Sequence, residues 1–349
     1  KVNWYNPRMK MSDFTYNLPE EKIAKFPPSK RGTTKLLVAD RKSGEMIDQK
    51  YSDIPKYLQK GDIVVLNETK VEKRRTFFKT SSGRKVEILF LNKVEDGQWY
   101  CLIGGSKHTK EGDILTSYED ENINVEVGKK EGDGFFVYPK GLSGEEIFTK
   151  VGHTPIPPYM KRNDTQEDYV RYNTVFARMG DSVAAPTASL NLTKEILKEI
   201  KDKGCQQTFI ELQVGWGTFA PVREENIEDH KLHTEKITVS KKTVESINTV
   251  RKNGGKVWAF GTTVARTLES VSDENGFVSE YSGDTNLYIY PGYKWKCVDH
   301  LITNFHMPDS SLILLVSSFA GKDLIQKAYS HALTNDYKFL SYGDSMLIL

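Results

Sequence analysis

The sequence predicts a mixed α/β protein, a larger α/β domain carrying an inserted, smaller all-β barrel or sandwich. Three observations predict it. Between Val71 and Gly152, short β-rich runs recur between glycine-bearing turns, and no amphipathic helix of convincing length interrupts them. On both sides of that block, fully apolar runs of strand length alternate with stretches of helical spacing. At 349 residues the chain also exceeds one ordinary domain. The expected division is 71–152 for the inserted barrel, with 1–70 and 153–349 together forming the discontinuous larger domain.

Composition bounds the rest. Hydrophobic residues make up 38% and aromatics 11%, enough for a buried core and against disorder. The 49 basic and 47 acidic residues leave a formal charge of +2, so any basic footprint for a nucleic acid must be local. Three cysteines, Cys101, Cys205 and Cys297, lie far apart and form neither a zinc-type cluster nor a disulfide framework. That usage points to a reducing cytosol. The first ten residues lack an apolar leader core, and the longest apolar run, Leu312–Val316, is too short to span a bilayer. The expectation is a soluble, cytoplasmic protein with no membrane contact.

Taken in order, Leu36–Ala39 reads as a strand followed by a hairpin-type turn at Asp40–Gly44. Ile63–Leu66 is a fully apolar, buried strand ending in Asn67-Glu68-Thr69-Lys70, polar residues where α/β sheets tend to place chemistry. Val86–Leu91, Trp99–Ile103, Ile123–Val127 and Phe135–Tyr138 are the expected barrel strands. Lys70, Lys73, Arg74 and Arg75 cluster at the barrel entry, either a solvated face or a phosphate contact. After the rigid Pro155-x-Pro157-Pro158 connector, Thr165–Arg178 has helical spacing. Gln206–Leu212 and Val257–Phe260 read as strands, Val264–Val271 and Lys322–Leu333 as helices. Leu287–Tyr290 and Leu312–Phe319 are expected to be further buried strands.

Several stretches carry candidate chemistry. Ser182–Thr193 spends twelve positions on small, hydroxyl, amide and apolar residues without a charge, just before a helix from Lys194 that Thr193 is placed to cap. It is either a tightly packed turn or a loop that admits a ligand to the backbone near a helix N-terminus. Gly215-x-Gly217 lacks the third glycine of a dinucleotide fingerprint. His230 and His233 lie three apart, with Glu235 beyond. Acid–base or substrate contact suits them better than a metal, because zinc would need further ligands, and ordinary surface histidines are the other reading. Gly261-Thr262-Thr263 is a strand-to-helix turn with two hydroxyls, and Arg266 and Glu269 follow on the helix. Leu301–Pro308 brings Asn304, Phe305 and His306 together before a proline, a loop pattern rather than a core one.

Together these segments resemble the S-adenosylmethionine:tRNA ribosyltransferase-isomerase family of queuosine biosynthesis, nearly end to end. The resemblance runs through Ser182–Ala188, Gly217-Thr218-Phe219, His230-x-x-His233-x-Glu235 and Gly261-Thr262-Thr263 with Arg266–Ser270. It continues through Pro291-Gly292-Tyr293, Leu301–Pro308, Ser318–Gly321 and Ser341-Tyr342-Gly343-Asp344. It implies a larger α/β barrel-like domain with a smaller β-barrel. It also implies use of S-adenosylmethionine as a ribosyl donor, a co-substrate rather than a bound cofactor, with no metal. The implied partner is a tRNA whose anticodon wobble position carries 7-aminomethyl-7-deazaguanine. The implied products are epoxyqueuosine-tRNA, adenine and methionine.

That chemistry needs a base beside the sulfonium and help for the departing adenine. His233 and His306 are the candidates to titrate near neutrality, and Glu235 and Asp344 complete the catalytic candidates. Thr187, Asn191, Gly215, Gly217, His230, Thr262, Thr263, Arg266, Asn304, Tyr342, Asn67 and Lys70 are the candidate substrate contacts.

The sequence departs from the family pattern at Gly32, Lys35, Lys70, Asn191, Gln213 and Ala220. Two histidines have become the amides Asn191 and Gln213, which hydrogen-bond but cannot act as bases near pH 7. An arginine has become Ala220, and two others are lysines, which cannot donate as a bidentate fork. Two alternatives therefore stand beside the family reaction. One is a diverged relative using the same donor with another acceptor; the other is a non-catalytic tRNA-binding protein on the same scaffold.

Overall fold

The computed structural model describes residues 8–215 and 221–349. Its larger part is a mixed sheet built around apolar strands. The central strand β3 (Ile63–Asn67) pairs in parallel with β12 (Gln206–Leu212) on one side and β14 (Val257–Phe260) on the other. Next to β14 come β16 (His300–Asn304, parallel), β17 (Ser345–Ile348, antiparallel), β1 (Lys35–Ala39, parallel) and β2 (Met46–Lys50, antiparallel). Beyond β12 lie β13 (Glu235–Val239) and β15 (Tyr281–Thr285), both antiparallel, making nine strands in all.

Every residue of β3 is buried because both faces of the sheet are covered. Ile63 and Val65 join a core that includes Val257, Ala259, Ile247, Leu268 and Leu314. Val64 and Leu66 join another that includes Trp258, Phe260, Ile196 and Tyr51. The first face holds α4 (Lys241–Lys252), α5 (Thr262–Ser270), α6 (Ser311–Ala320) and α7 (Lys322–Thr334). The second holds α3 (Lys194–Asp202) and the short helical turn Tyr51–Tyr57.

The smaller part is a closed six-stranded antiparallel barrel, as the sequence predicts. Its strands are β5 (Arg75–Lys79), β6 (Lys85–Lys93), β7 (Trp99–Gly104), β8 (Ile114–Ser117), β9 (Asn124–Glu131) and β10 (Gly134–Lys140). Phe78, Phe90, Trp99 and Val137 fill the interior. The short helix α1 (Gly144–Val151) lays Ile147, Phe148 and Val151 on that core, and Ser143 caps it by accepting from Glu146 N–H. Of the four basic residues at the barrel entry, Arg74 is buried with its guanidinium over Trp99, and Arg75 is paired to Glu87 at 2.9 Å. Lys70 is paired to Glu72 at 3.1 Å, and Lys73 lies over the Tyr169 ring.

Three sequence expectations change. Leu312–Phe319 is not a strand but lies in helix α6, capped by Ser310 at its start and closed by Gly321 at φ +88°. A short, largely apolar run has no period by which to tell a buried helix from a buried strand. Leu287–Tyr290 forms no strand; the nearest is β15. The helix expected over Thr165–Arg178 spans only α2 (Gln166–Arg171), after which Met179–Ser182 (β11) pairs in parallel with Thr69–Val71 (β4). The three cysteines are buried free thiols, and no described helix is long and apolar enough to cross a membrane.

Candidate active site at the strand ends and the barrel cleft

The parallel strands β3, β12, β14 and β16 end together, and most of the sequence-predicted residues gather there. Asn67 closes β3 and is fully buried. Its side-chain N–H groups donate to the Leu212 carbonyl (3.0 Å) and Thr263 Oγ1 (3.5 Å), and its Oδ1 accepts from Leu212 N–H (3.1 Å). Asn67 thus clips three strand ends together. Gly261 carries φ +106° at the β14–α5 turn, a conformation L side chains rarely adopt, and a Cβ added there would lie 3.5 Å from Ala188 Cβ. Thr262 and Thr263 open α5, both nearly buried.

The stretch Ser182–Thr193 settles against these ends. Val214 N–H donates to Ser182 Oγ (2.9 Å), Tyr51 O–H donates to the Ala188 carbonyl (2.6 Å), and Thr193 caps α3 through Ile196 N–H. From Ser182 to Leu192 every residue is buried except Thr187. The loop is therefore packed, and it also exposes one hydroxyl to a cavity. Asn191 is buried, and its amide donates to the Gly343 carbonyl at 3.5 Å.

Two adjoining cavities of about 500 and 540 Å3 separate the barrel strands β6 and β7 from the segment that runs through β13. His233 lines both, exposed at the cleft, as do Leu102 and Asp133 of the barrel. Gln213, Gly215 and Glu235 line the first; His230 and Glu224 line the second. Glu235 points inward. Its Oε1 accepts from Gly215 N–H at 2.8 Å and its Oε2 lies 2.7 Å from Arg266 Nη1, with side-chain exposures of 3% and 5%. Arg266 Nε and Nη2 have no hydrogen-bond partner among the described residues. His230 pairs instead with Glu224 at 2.7 Å and sets its ring edge on Tyr288. The histidine pair and Glu235 are therefore neighbours in sequence with separate partners. Gly217 lies outside the described residues, together with Trp216, Thr218, Phe219 and Ala220.

A third cavity, about 170 Å3, lies beyond the end of β16 and is lined by Thr187, Asn304, His306 and Ser341 among others. His306 is not a base for neutral pH: burial pushes its imidazole down to about 3. Its Nε2 sits 2.7 Å from Thr303 Oγ1. Asp344 is likewise buried, which raises its carboxyl above the ordinary range, and its two oxygens accept from Lys35 and Lys338 backbone N–H at 2.6 Å each. Tyr342 O–H donates to Asp168 at 2.8 Å.

Asp168 is one residue that sequence reasoning missed. Arg162 grips it through two nitrogens at 2.7 Å each, and Thr165 adds backbone and hydroxyl donors. Burial would raise that carboxyl, but the donors outweigh it and hold it at about 2. The available signal was the capping pair Thr165-x-x-Asp168. His153 was also missed. It joins the barrel to the body, with Nδ1 2.8 Å from Asp164 and Nε2 3.4 Å from Glu119. Among the described residues, no group of three or more His, Cys, Asp or Glu is placed to hold a metal ion.

Parallel strand ends opening toward a polar cleft, with a β-barrel as the opposite wall, define a mixed α/β protein of enzyme architecture. The model of the family described as queuosine biosynthesis protein matches residues 11–348. A Caldanaerobacter subterraneus subsp. tengcongensis protein named S-adenosylmethionine:tRNA ribosyltransferase-isomerase is 44% identical over 344 residues, covering 98% of this chain and 100% of that relative. A Treponema denticola protein of the same name is 42% identical over 349 residues, with 98% and 100% covered. The crystal structure of a Thermotoga maritima S-adenosylmethionine tRNA ribosyltransferase is similar at 32% identity and a TM-score of 0.56, covering 97% of this chain and 100% of that one. The chain belongs to the queuosine biosynthesis protein family.

Proposed function

We propose that this protein is an S-adenosylmethionine:tRNA ribosyltransferase-isomerase. It moves and isomerises the ribosyl part of S-adenosylmethionine onto 7-aminomethyl-7-deazaguanine at the tRNA wobble position, giving epoxyqueuosine-tRNA, adenine and methionine. The observation that carries this reading is 44% identity across 98% of the chain and 100% of a relative of that name. Agreement at that level and extent favours the family reaction over a diverged acceptor or a non-catalytic binder. The cytoplasm is the expected setting.

In this reading residues 71–152 form the inserted barrel, and 1–70 with 153–349 form the body. The anticodon loop enters the cleft between them, and the donor lies at the strand ends. His233, exposed on the cleft wall, is the base that takes the proton beside the sulfonium. Glu235 and Arg266 hold the Gly215 turn in place. Asp344 positions the turn that carries Tyr342, and neutral His306 serves by hydrogen bonding. The test is release of adenine and methionine from S-adenosylmethionine with tRNA bearing the deazaguanine. Adenine should appear only when that tRNA is present. Its absence, while a family enzyme assayed alongside releases it, would sink the assignment.

A further inference from the structure

We propose that the cavity between Thr187, Asn304 and His306 is the subsite for the adenine of the donor, and that it selects a neutral 6-aminopurine. The inference rests on the donor assignment above and names where one part of that donor sits. The cavity is about 170 Å3, and cavities of about 150 Å3 already hold one aromatic ring. None of its lining residues is Asp, Glu, Lys or Arg. Phe305, Met307, Pro308 and Leu312 give it apolar walls. The methionine part is zwitterionic, the sulfonium is cationic, tRNA is anionic, and the deazaguanine carries an aminomethyl cation. Adenine alone among the reacting parts is flat and uncharged, so it alone can enter without stranding a charge.

The polar groups fit the amino edge. Asn304 is 2% exposed. Its Nδ2 donates to the Asp344 carbonyl at 3.4 Å, and its Oδ1 has no partner among the described residues. That leaves an oriented acceptor in want of a donor. The Thr303 hydroxyl donates to the Asn304 carbonyl (3.3 Å) and lies 2.7 Å from His306 Nε2, an arrangement in which Nε2 carries the ring proton and Nδ1 presents a lone pair. Two acceptors match the two hydrogens of an exocyclic amine, and the Thr187 hydroxyl supplies a donor for a ring nitrogen. A 6-keto purine would set its carbonyl oxygen against both acceptors.

The experiment measures free adenine and hypoxanthine binding by calorimetry to the full chain, to Asn304→Leu, which removes the acceptor, and to Leu312→Phe, which fills the cavity from its apolar side. Circular dichroism confirms folding, and adenine release with tRNA is assayed in parallel. The expected result is adenine binding at least about tenfold tighter than hypoxanthine, lost in both variants. Equal binding of the two bases, or adenine binding retained by both folded variants, would overturn the subsite even if the parent turns over normally. A parent that binds adenine with this pattern but releases none from the donor upholds the subsite and defeats the reaction assignment. If Asn304→Leu fails to fold, Leu312→Phe decides alone.

Discussion

Replacing Glu235 by glutamine takes one charge out of a pair held almost wholly away from water. The carboxylate lies 2.7 Å from Arg266 Nη1, with 3% and 5% of the two side chains exposed. Screening by solvent is therefore weak, and an orphaned guanidinium has no water to turn to. Breaking one partner of such a pair costs about 3–5 kcal/mol, roughly two to three and a half powers of ten in the folding equilibrium at about 1.4 kcal/mol each. Glutamine keeps an oxygen for Gly215 N–H and then turns its amide N–H donors toward Arg266, so the loss falls on the charge. Arg266→Met likewise removes the counter-charge from the buried carboxylate, to which Gly215 N–H still donates. The double variant leaves no buried charge and should be less destabilised than the sum of the singles by at least about 1 kcal/mol. Urea denaturation at pH 7, followed by circular dichroism, measures all four proteins. A Glu235→Gln variant within about 0.5 kcal/mol of the parent, or strictly additive singles, would refute the view that this pair is a coupled, desolvated unit. Adenine release by Glu235→Gln should fall even where the variant is folded, because Arg266 beside the Gly215 turn loses its counter-charge.

His153 gives a pH dependence. Its bond to Asp164 raises the imidazole above its ordinary 6.5, so its stabilisation is complete below 6.5 and fades as pH rises through the raised value. Asp164 is opposite in sign. Burial raises its carboxyl, but bonds from His153 and Thr154 prevail and lower it below 3.8, so its contribution is present above 3.8 and lost in acid. Thermal unfolding should show the His153→Gln penalty greatest between those limits and smaller toward pH 9; a penalty independent of pH would contradict the ion pair. Gly152→Ala would bring a Cβ to 2.2 Å from the Lys73 carbonyl and 2.3 Å from that of Phe148. It should cost about 1–3 kcal/mol in urea denaturation, and a neutral result would argue against close packing at this joint. Arg31 donates to the carbonyls of Leu190, Val170 and Asn173, so Arg31→Lys should lose about 1–3 kcal/mol, with an unchanged urea midpoint as the contrary result.

The strands of the body were legible because burial on both faces leaves a plain mark: β3, β12 and β14 are apolar runs or alternations bounded by glycine and polar residues. Helix α3 was legible from its cap, Thr193. Helix α6 was not, since its even hydrophobicity hides the period; the Ser310 cap and Gly321 were the better signals. The site was legible as a set of residue types and less so as a set of partnerships. Glu235 reads in sequence as an ally of His233, yet His233 stays on the exposed segment before β13 begins, and the fold turns Glu235 into the body toward Arg266. The charge on Arg74 gave no hint that the barrel core would cover it. His153 lies in a connector, where no local pattern announces a partner brought in from another element.

The departures from the family pattern take on a different meaning once they are placed. Gly32, Lys35 and Asn191 fall in one patch beside the Gly343-Asp344 turn. A Cβ on Gly32 would come 3.7 Å from the Asn191 carbonyl oxygen, Asn191 donates to the Gly343 carbonyl, and Lys35 N–H donates to Asp344. The Lys35 contact to Asp344 is made by backbone and survives any side chain. Asn191 is not among the residues lining either cleft cavity. Gly32, Lys35 and Asn191 are thus packing neighbours, whereas Gln213 lines the first cleft cavity with His233. Asn191→His is therefore expected to leave adenine release no faster than in the parent, because an imidazole there would meet the Gly343 carbonyl rather than the cleft. A gain of tenfold or more, about 1.4 kcal/mol off the barrier, would show instead that a base had been lost at 191. It would move the reacting centre from the His233 wall to the Asp344 turn.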